Sequence, residues 1–337
     1  MNSYLQGVPI LQDSFGRVIN NLRISVTDRC NFRCRYCMPE EGMNWLDKNE
    51  LLTYEEMARV TRIFARLGVT KVRLTGGEPL MRRDLHVLVG FISRIEGIRD
   101  LSLTTNGFFL SEQAELLSQA GLRRINVSLD SLDPVKFNLM TRRNYYHRVW
   151  EGIETAEKVG LTPIKLNAVL MRGINDNEIP KFASLVREKE YIVRFIEFMP
   201  IGQDDGWTID RVVPTGEVIE RIEASMGKKL VAVEYHGVQP ADRYRFEDGR
   251  GEIGFISSVS DPFCNHCNRV RVTSDGKLRT CLFSLEETDL RTFLRGEASN
   301  REIEDAIVKA VLKKEKGHLI NQPGFVRPNR TMSQIGG

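Results

Sequence analysis

From Leu22 to Phe198 the apolar positions follow two alternating periods. Short runs rich in branched and aliphatic residues read as strands: Leu22-Arg23-Ile24-Ser25-Val26, Lys71–Thr75, Leu101–Thr104, Arg124–Leu129, Lys165–Val169 and Val193–Phe198. Between them, apolar residues recur three and four positions apart. Met57, Val60, Ile63, Phe64 and Leu67 mark one such helix, and Thr53 with Glu56 forms a capping box at its start, hydroxyl and carboxylate satisfying free amides, while Gly68 ends it. Further helices are expected from Leu85 to Ile95, after Ser111, from His147 to Val159 and from Ile179 to Lys189. Six strands alternating with helices predict an α/β fold with a parallel sheet and right-handed crossovers. A partial (βα)6 barrel of TIM-like shape fits better than a doubly wound sheet, because chemistry-bearing residues stand at successive strand ends, and in a barrel those ends converge on one mouth.

The alternation stops between Met199 and Pro214, where Gly202, Asp204, Asp205 and Gly206 interrupt it. That break divides the chain into a barrel domain, residues 1–213, and a smaller α+β extension, residues 214–337. The extension holds strand-like runs at Leu230–Val233 and Glu252–Ile256 and polar helices around Leu290 and Ile307. The stretch from Arg327 to Gly337 shows no periodicity.

Composition narrows the function class. Hydrophobic residues make up 41% and charged residues 28% of 337, enough to bury a core. The net charge of +3 is too even for wholesale nucleic-acid binding, and no apolar run reaches membrane-spanning length. The start lacks the features of a secretion signal, so the expectation is a cytoplasmic protein without membrane or nucleic-acid partners. Six cysteines fall in two triplets, which in a reducing compartment favours metal over disulfides.

Cys30, Cys34 and Cys37 stand on a loop just after the first strand, with three and then two residues between them. Three thiolates there can hold one inorganic centre, and a four-iron cluster would keep one iron open. Paired zinc knuckles are spaced differently and complete four ligands. The second triplet is Cys264, Cys267 and, after thirteen residues, Cys281. On its residues alone this one reads as a structural zinc site completed by His266 or His236.

The first triplet, with Tyr36 before its last cysteine, resembles the signature of the radical S-adenosylmethionine enzymes. Such a resemblance implies a 4Fe-4S cluster whose open iron chelates S-adenosyl-L-methionine and yields a 5′-deoxyadenosyl radical. Gly76-Gly77-Glu78-Pro79, after the second strand, matches the motif that holds the methionine amino group, carried here onto Gly77. Tyr36, Ser128 and Met199 match further cofactor contacts, Met199 through its backbone to adenine. Cys264-Asn265-His266-Cys267-Asn268-Arg269-Val270-Arg271 resembles the second 4Fe-4S cluster of one subgroup, the GTP 3′,8-cyclases of molybdenum cofactor biosynthesis. There the second open iron faces guanine.

That resemblance gives the basic residues a purpose, since planar guanidinium forks suit phosphate oxygens better than a lysine point charge. It implies that Arg23, Arg73, Thr104, Lys165, Arg269 and Arg271 contact GTP; Arg194 is left between a substrate contact and an ion pair with Glu197 or another carboxylate. By strand alternation alone, Arg23 and Lys165 could equally face solvent. The resemblance further implies an external reductant, a homodimer, a downstream cyclic pyranopterin monophosphate synthase as pathway partner, and insertion of the Gly336-Gly337 tail into the site. Two other readings stay open: a two-cluster radical enzyme acting on a peptide, and a zinc-stabilised binding module without turnover.

Overall fold

In the computed structural model, residues 4–5, 8–201, 206–234 and 240–336 are described; Gly202, Asp204, Asp205, His236 and Gly337 lie outside them. The barrel strands are β1 (Asn21–Ser25), β2 (Lys71–Thr75), β3 (Asp100–Thr105), β4 (Arg124–Ser128), β5 (Lys165–Leu170) and β6 (Ile192–Glu197). Each pairs in parallel with the next. The intervening helices are α1 (Tyr54–Arg66), α2 (Leu85–Ser93), α3 (Leu110–Gln119), α4 (Pro134–Thr141), α5 (Tyr146–Lys158) and α6 (Ile179–Glu188). The capping box of α1 is present, Thr53 Oγ1 accepting from Glu56 N–H at 3.2 Å and Glu56 Oε2 from Thr53 N–H at 2.7 Å.

Strand alternation sorts the side chains into two environments. Leu22, Ile24, Val72, Leu74, Leu103 and Val127 are buried with the apolar faces of the helices. Their neighbours project the other way, and the register aligns Arg23 with Arg73, Arg73 with Ser102, and Asn167 with Arg194. The inward face is therefore polar and cationic, which settles the orientation of Arg23 and Lys165 that alternation alone left open.

The chain beyond residue 213 joins the same sheet rather than packing as a separate body. After α7 (Thr215–Met226), strands β7 (Leu230–Ala232), β8 (Asp242–Phe246) and β9 (Glu252–Ile256) extend one edge, with β9 parallel to β6. Strands β10 (Arg269–Val272), β11 (Lys277–Arg279) and β12 (Thr288–Asp289) extend the other, with β10 parallel to β1. The order of the 12-stranded sheet is β12-β11-β10-β1-β2-β3-β4-β5-β6-β9-β8-β7. Because β9 and β10 sit at opposite edges, the segment between them crosses the barrel mouth, and that segment carries Cys264 and Cys267. Helices α8 (Leu290–Arg295) and α9 (Asn300–Leu312) follow.

Three elements depart from the periodicity. Helix α4 is opened by Asp133, whose carboxylate accepts from Val135 and Lys136 N–H, with Pro134 at the first helical position. Strand β8 hides behind its charges: Arg243 pairs with Glu252 of β9 across the sheet. The aperiodic tail contains a single-turn helix, α10 (Met332–Ile335), fixed by a capping box between Thr331 and Gln334. One turn is too short to show a period. Among the described residues no helix is long and apolar enough to cross a membrane.

Candidate functional site

Both cysteine triplets line one cavity at the barrel mouth, and all six thiols are free of disulfides. The first loop is shaped by turns and by guanidinium clamps. Cys34 O accepts from Cys37 N–H at 2.9 Å and Met38 N–H at 3.1 Å. Arg33 donates to Cys30 O at 2.7 Å and Phe32 O at 2.8 Å, and Arg143 donates to Asn31 O at 3.0 Å. These bonds turn carbonyls outward and leave the thiols facing the cavity.

Gly76 and Gly77 hold the loop from the β2 side. A Cβ on Gly76 would stand 2.6 Å from Thr27 O, and one on Gly77 2.4 Å from Arg29 O, so only glycine permits this approach. Gly77 N–H donates to Thr27 O at 2.8 Å. What Gly77 can offer an ammonium group is accordingly its carbonyl oxygen.

Two buried carboxylates flank the first triplet. Glu78 accepts from Thr105 Oγ1 at 2.7 Å, Asn106 N–H at 2.6 Å and Leu80 N–H at 3.0 Å, and burial still raises its pKa to about 7. Asp130 accepts from Tyr36 OH at 2.7 Å and Val169 N–H at 2.9 Å, and burial raises it to about 6. Burial and then Glu78 push the Cys30 thiol up to about 12. Cys34 is pushed well up by burial and then by Asp130. Cys37 rises to about 12 through burial and then the Cys30 charge, opposed by the nearby Ser333 backbone N–H. Such thiols ionise only where a cation takes up their charge. Asn106 Nδ2 lies 3.9 Å from Cys30 Sγ.

The second triplet has the opposite surroundings. Burial raises Cys267, but Arg269 and Lys314 outweigh it and bring the thiol down to about 6. Cys281 is raised by burial, which Lys314 opposes and Glu315 reinforces. Arg17 braces the loop by donating to Cys264 O and Lys316 O, both at 2.8 Å.

A cationic wall completes the cavity. Arg23, Arg73, Arg194, Arg269 and Arg271 all line it, and none forms an ion pair with a carboxylate among the described residues. Burial, then Arg271, Arg269 and Arg73, drive the Arg23 pKa far down, and its Nε is buried without a partner. Burial followed by neighbouring arginines lowers Arg73 to about 9, Arg194 to about 10 and Arg271 to about 9. Guanidinium keeps its proton in proteins, so this strain is relieved by an anion rather than by deprotonation. Lys165 lies one inward position below Asn167, half-buried and outside the cavity lining; burial, then Arg194, Arg124 and Arg73, lower it to about 7.

Thr104, Ser128, Met199, Gly77 and Tyr36 all reach the lining. Tyr36 also packs beside Met140, Met171 and Phe198. The Met199 carbonyl already accepts Ile201 N–H at 3.0 Å. Arg194 makes no bond to Glu197, whose carboxylate is taken by Val259 N–H at 2.7 Å and Ser260 N–H at 2.8 Å, and whose strand points it away. The tail enters the same cavity. Gly336 O accepts from Arg271 Nη1 at 2.6 Å, and a Cβ on Gly336 would stand 2.7 Å from Thr75 Oγ1.

Asp130, Asn106 and Asn167 line the site without having been singled out from the sequence. Asn106 and Asp130 follow apolar strands, a position that in a barrel points to the mouth, whereas Asn167 lies inside β5 on its inward face. The donor set suits clusters better than single ions. Among the described residues no three His, Cys, Asp or Glu side chains converge on one ion position, and His266 is exposed and outside the cavity lining. A four-iron centre is broader and spreads three thiolates over separate corners.

Comparison with known proteins agrees with this geometry. Residues 24–186 match the model of the Radical SAM superfamily, and residues 191–320 match that of Molybdenum Cofactor Synthesis C. Curated relatives include the GTP 3′,8-cyclase of Thermodesulfovibrio yellowstonii, 47% identical over 97% of this chain and 100% of that protein. The GTP 3′,8-cyclase of Streptomyces coelicolor is 44% identical over 98% of each. Among solved structures, Streptococcus suis SuiB bound to S-adenosylmethionine superposes with a TM-score of 0.63 at 14% identity, covering 93% of this chain and 77% of SuiB. That likeness speaks for the fold alone.

Proposed function

The chain belongs to the GTP 3′,8-cyclase family of radical SAM enzymes, and from that membership and its site we propose that it converts GTP to (8S)-3′,8-cyclo-7,8-dihydroguanosine 5′-triphosphate, the first step of molybdenum cofactor synthesis. The observation that carries the substrate is the cationic wall: five arginines, crowded and without carboxylate partners among the described residues, beside a triplet of thiols in the same cavity. A triphosphate is the kind of multiply charged anion that relieves this crowding, and planar forks bind it with directional bonds.

Cys30, Cys34 and Cys37 would hold one 4Fe-4S cluster and Cys264, Cys267 and Cys281 another. When bound, the first cluster with S-adenosyl-L-methionine supplies a carbon radical able to take hydrogen from ribose C3′. The protein's own part is placement. The carbonyl of Gly77 receives an ammonium group, and Tyr36, held by Asp130, with Ser128 and the Met199 backbone, frames the adenosyl portion. Arg23, Arg73, Arg269 and Arg271 fix the triphosphate, with Thr104 beside them and Lys165 beneath. Holding the nucleotide at both ends leaves C3′ and guanine C8 as the reacting pair, joined after hydrogen removal, and a filled cavity would keep out the water that could quench a radical. An external donor supplies the electrons. A cyclic pyranopterin monophosphate synthase takes the product, and the protein works in the cytoplasm as a homodimer.

Anaerobically reconstituted protein given GTP deuterated at C3′, S-adenosylmethionine and a reductant tests this reading. Deuterium is expected in 5′-deoxyadenosine together with a cyclised nucleotide. Cleavage of S-adenosylmethionine with GTP unchanged would instead favour a different substrate for the same fold, such as a peptide.

A further inference from the structure

Lys314 follows the C-terminal end of α9 and is only 3% exposed. Its ammonium donates to Arg269 O at 3.2 Å and, closely, to Thr280 O. Those carbonyls belong to the second residue after Cys267 and the residue before Cys281, so the lysine ties together the two segments that carry these cysteines. It forms no ion pair with a carboxylate among the described residues. The nearby Glu315 carboxylate is occupied by Thr280 and Ser284 hydroxyls.

Burying an ammonium costs several kcal/mol even after relaxation. Carbonyl dipoles and the negative end of α9 offer only partial charges, roughly half a unit from a helix terminus. A full negative charge is missing, and the groups placed to provide it are the sulfurs of Cys267 and Cys281, both of which feel Lys314 electrostatically. Three thiolates around an oxidised four-iron core make an anion, and reduction adds a further negative charge.

We propose that Lys314 is the buried counter-charge of the centre held by Cys264, Cys267 and Cys281, and that it makes this centre easier to reduce. The inference rests on the reading that the second triplet holds a cluster. Arg23, Arg269 and Arg271 also bear on these cysteines, and Arg269 lies over the Phe263 ring at 4.5 Å. Those three face the cavity, where a bound triphosphate would neutralise them. Lys314 does not line it. Its charge therefore acts on the centre whether or not nucleotide is present.

The test is an anaerobic redox titration, followed by electron paramagnetic resonance and iron analysis, on wild type and on Lys314→Met, Lys314→Gln and Lys314→Arg. Glutamine can still donate to carbonyls but carries no charge. At the potential where half of the wild-type second centre is reduced, Met and Gln should each lower its reduced-to-oxidised ratio about tenfold, a shift of about 59 mV for one electron. Arg should stay near wild type, and the first centre should titrate unchanged in all variants. If Gln restores the wild-type curve, or Met leaves it in place, Lys314 is a hydrogen-bonding staple and the proposal is overturned. Iron lost from Met and Gln but kept by Arg supports the charge; iron lost from all three overturns it. Wild type holding only about four irons would instead remove the second cluster itself, before any variant is compared.

Discussion

The two triplets share a ligand count and one cavity, yet their electrostatic settings are opposite. Glu78 and Asp130 flank the first, and they reinforce burial in pushing its thiols up. Arg269 and Lys314 flank the second and bring Cys267 down to about 6 against burial. Net charge and hydrogen bonding set the potential of an iron–sulfur centre. A negative neighbourhood makes an added electron harder to keep, which suits a centre that must pass it into a sulfonium. On the proposed reading, a positive one would suit a second centre that holds an electron-rich base near an anionic chain. Identical arithmetic of cysteines can thus serve two tasks because the residues behind the cysteines differ.

The division is broken or sharpened most strongly at the cysteines themselves. Cys34→Ala should abolish reductive cleavage of S-adenosylmethionine, measured as 5′-deoxyadenosine, while iron falls from about eight to about four per chain. Cys267→Ala should lose the same share of iron and the cyclised nucleotide, yet still cleave S-adenosylmethionine without coupling. Equal loss of both products in the two variants would erase the proposed separation of labour.

Next in size is the substrate wall. Arg271→Ala should weaken GTP binding by about 1.5–3 kcal/mol, the range for hydrogen bonds to charged groups, with cluster content unchanged. Arg271→Lys should recover only part, because a point charge cannot reproduce the fork. Isothermal titration on reconstituted protein reads both, and loss of iron in Arg271→Ala would reassign the residue to holding the second loop.

A smaller effect follows from Lys165, lowered to about 7 by burial and the neighbouring arginines. Below that pH the side chain is already an ammonium and, on the proposed reading, its charge is fully available to a triphosphate. Above it the free protein must take up a proton to regain that charge. GTP affinity should therefore fall as pH rises past about 7, at most about tenfold per unit, and Lys165→Met should flatten the decline. A slope unaltered in Lys165→Met would show that Lys165 does not pair with the nucleotide.

Much of this was legible before any coordinates. Strand and helix alternation, the capping box at Thr53, the cysteine spacings and Gly76-Gly77 are local signals, each set by a few adjacent residues. The pairing of β9 with β6 and of β10 with β1 was not local, and the second joins segments near opposite ends of the chain. It alone places Arg271 beside Arg23. Lys314 stands in the run Lys313-Lys314-Glu315-Lys316, and burial is invisible in a charged run. The direction of Arg194 needed its neighbours too: it stands beside Asn167 of the adjacent strand β5, whereas Glu197 turns to the Val259 loop.

The tail reaches both triplet neighbourhoods. The Ser333 N–H bears electrostatically on the Cys37 thiol, and Gly336 O accepts from Arg271 on the other side of the cavity. Its anchor lies outside that cavity. Arg330 pairs with Asp275 at 2.9 Å and with Glu287 at 2.7 Å, and Glu287 also holds Arg279. Because these groups are only partly shielded, breaking them should loosen the tail without unfolding the barrel. Arg330→Ala is accordingly expected to raise amide exchange over residues 331–336, leave exchange in β1–β6 and the iron count unchanged, and shift the first centre to a lower potential as the Ser333 amide dipole moves away from Cys37. Faster exchange with both potentials in place would mean that the tail occupies the cavity without tuning either centre. Faster exchange with only the first potential moved would make the tail part of the first triplet's surroundings, and would sharpen the contrast between the two sites.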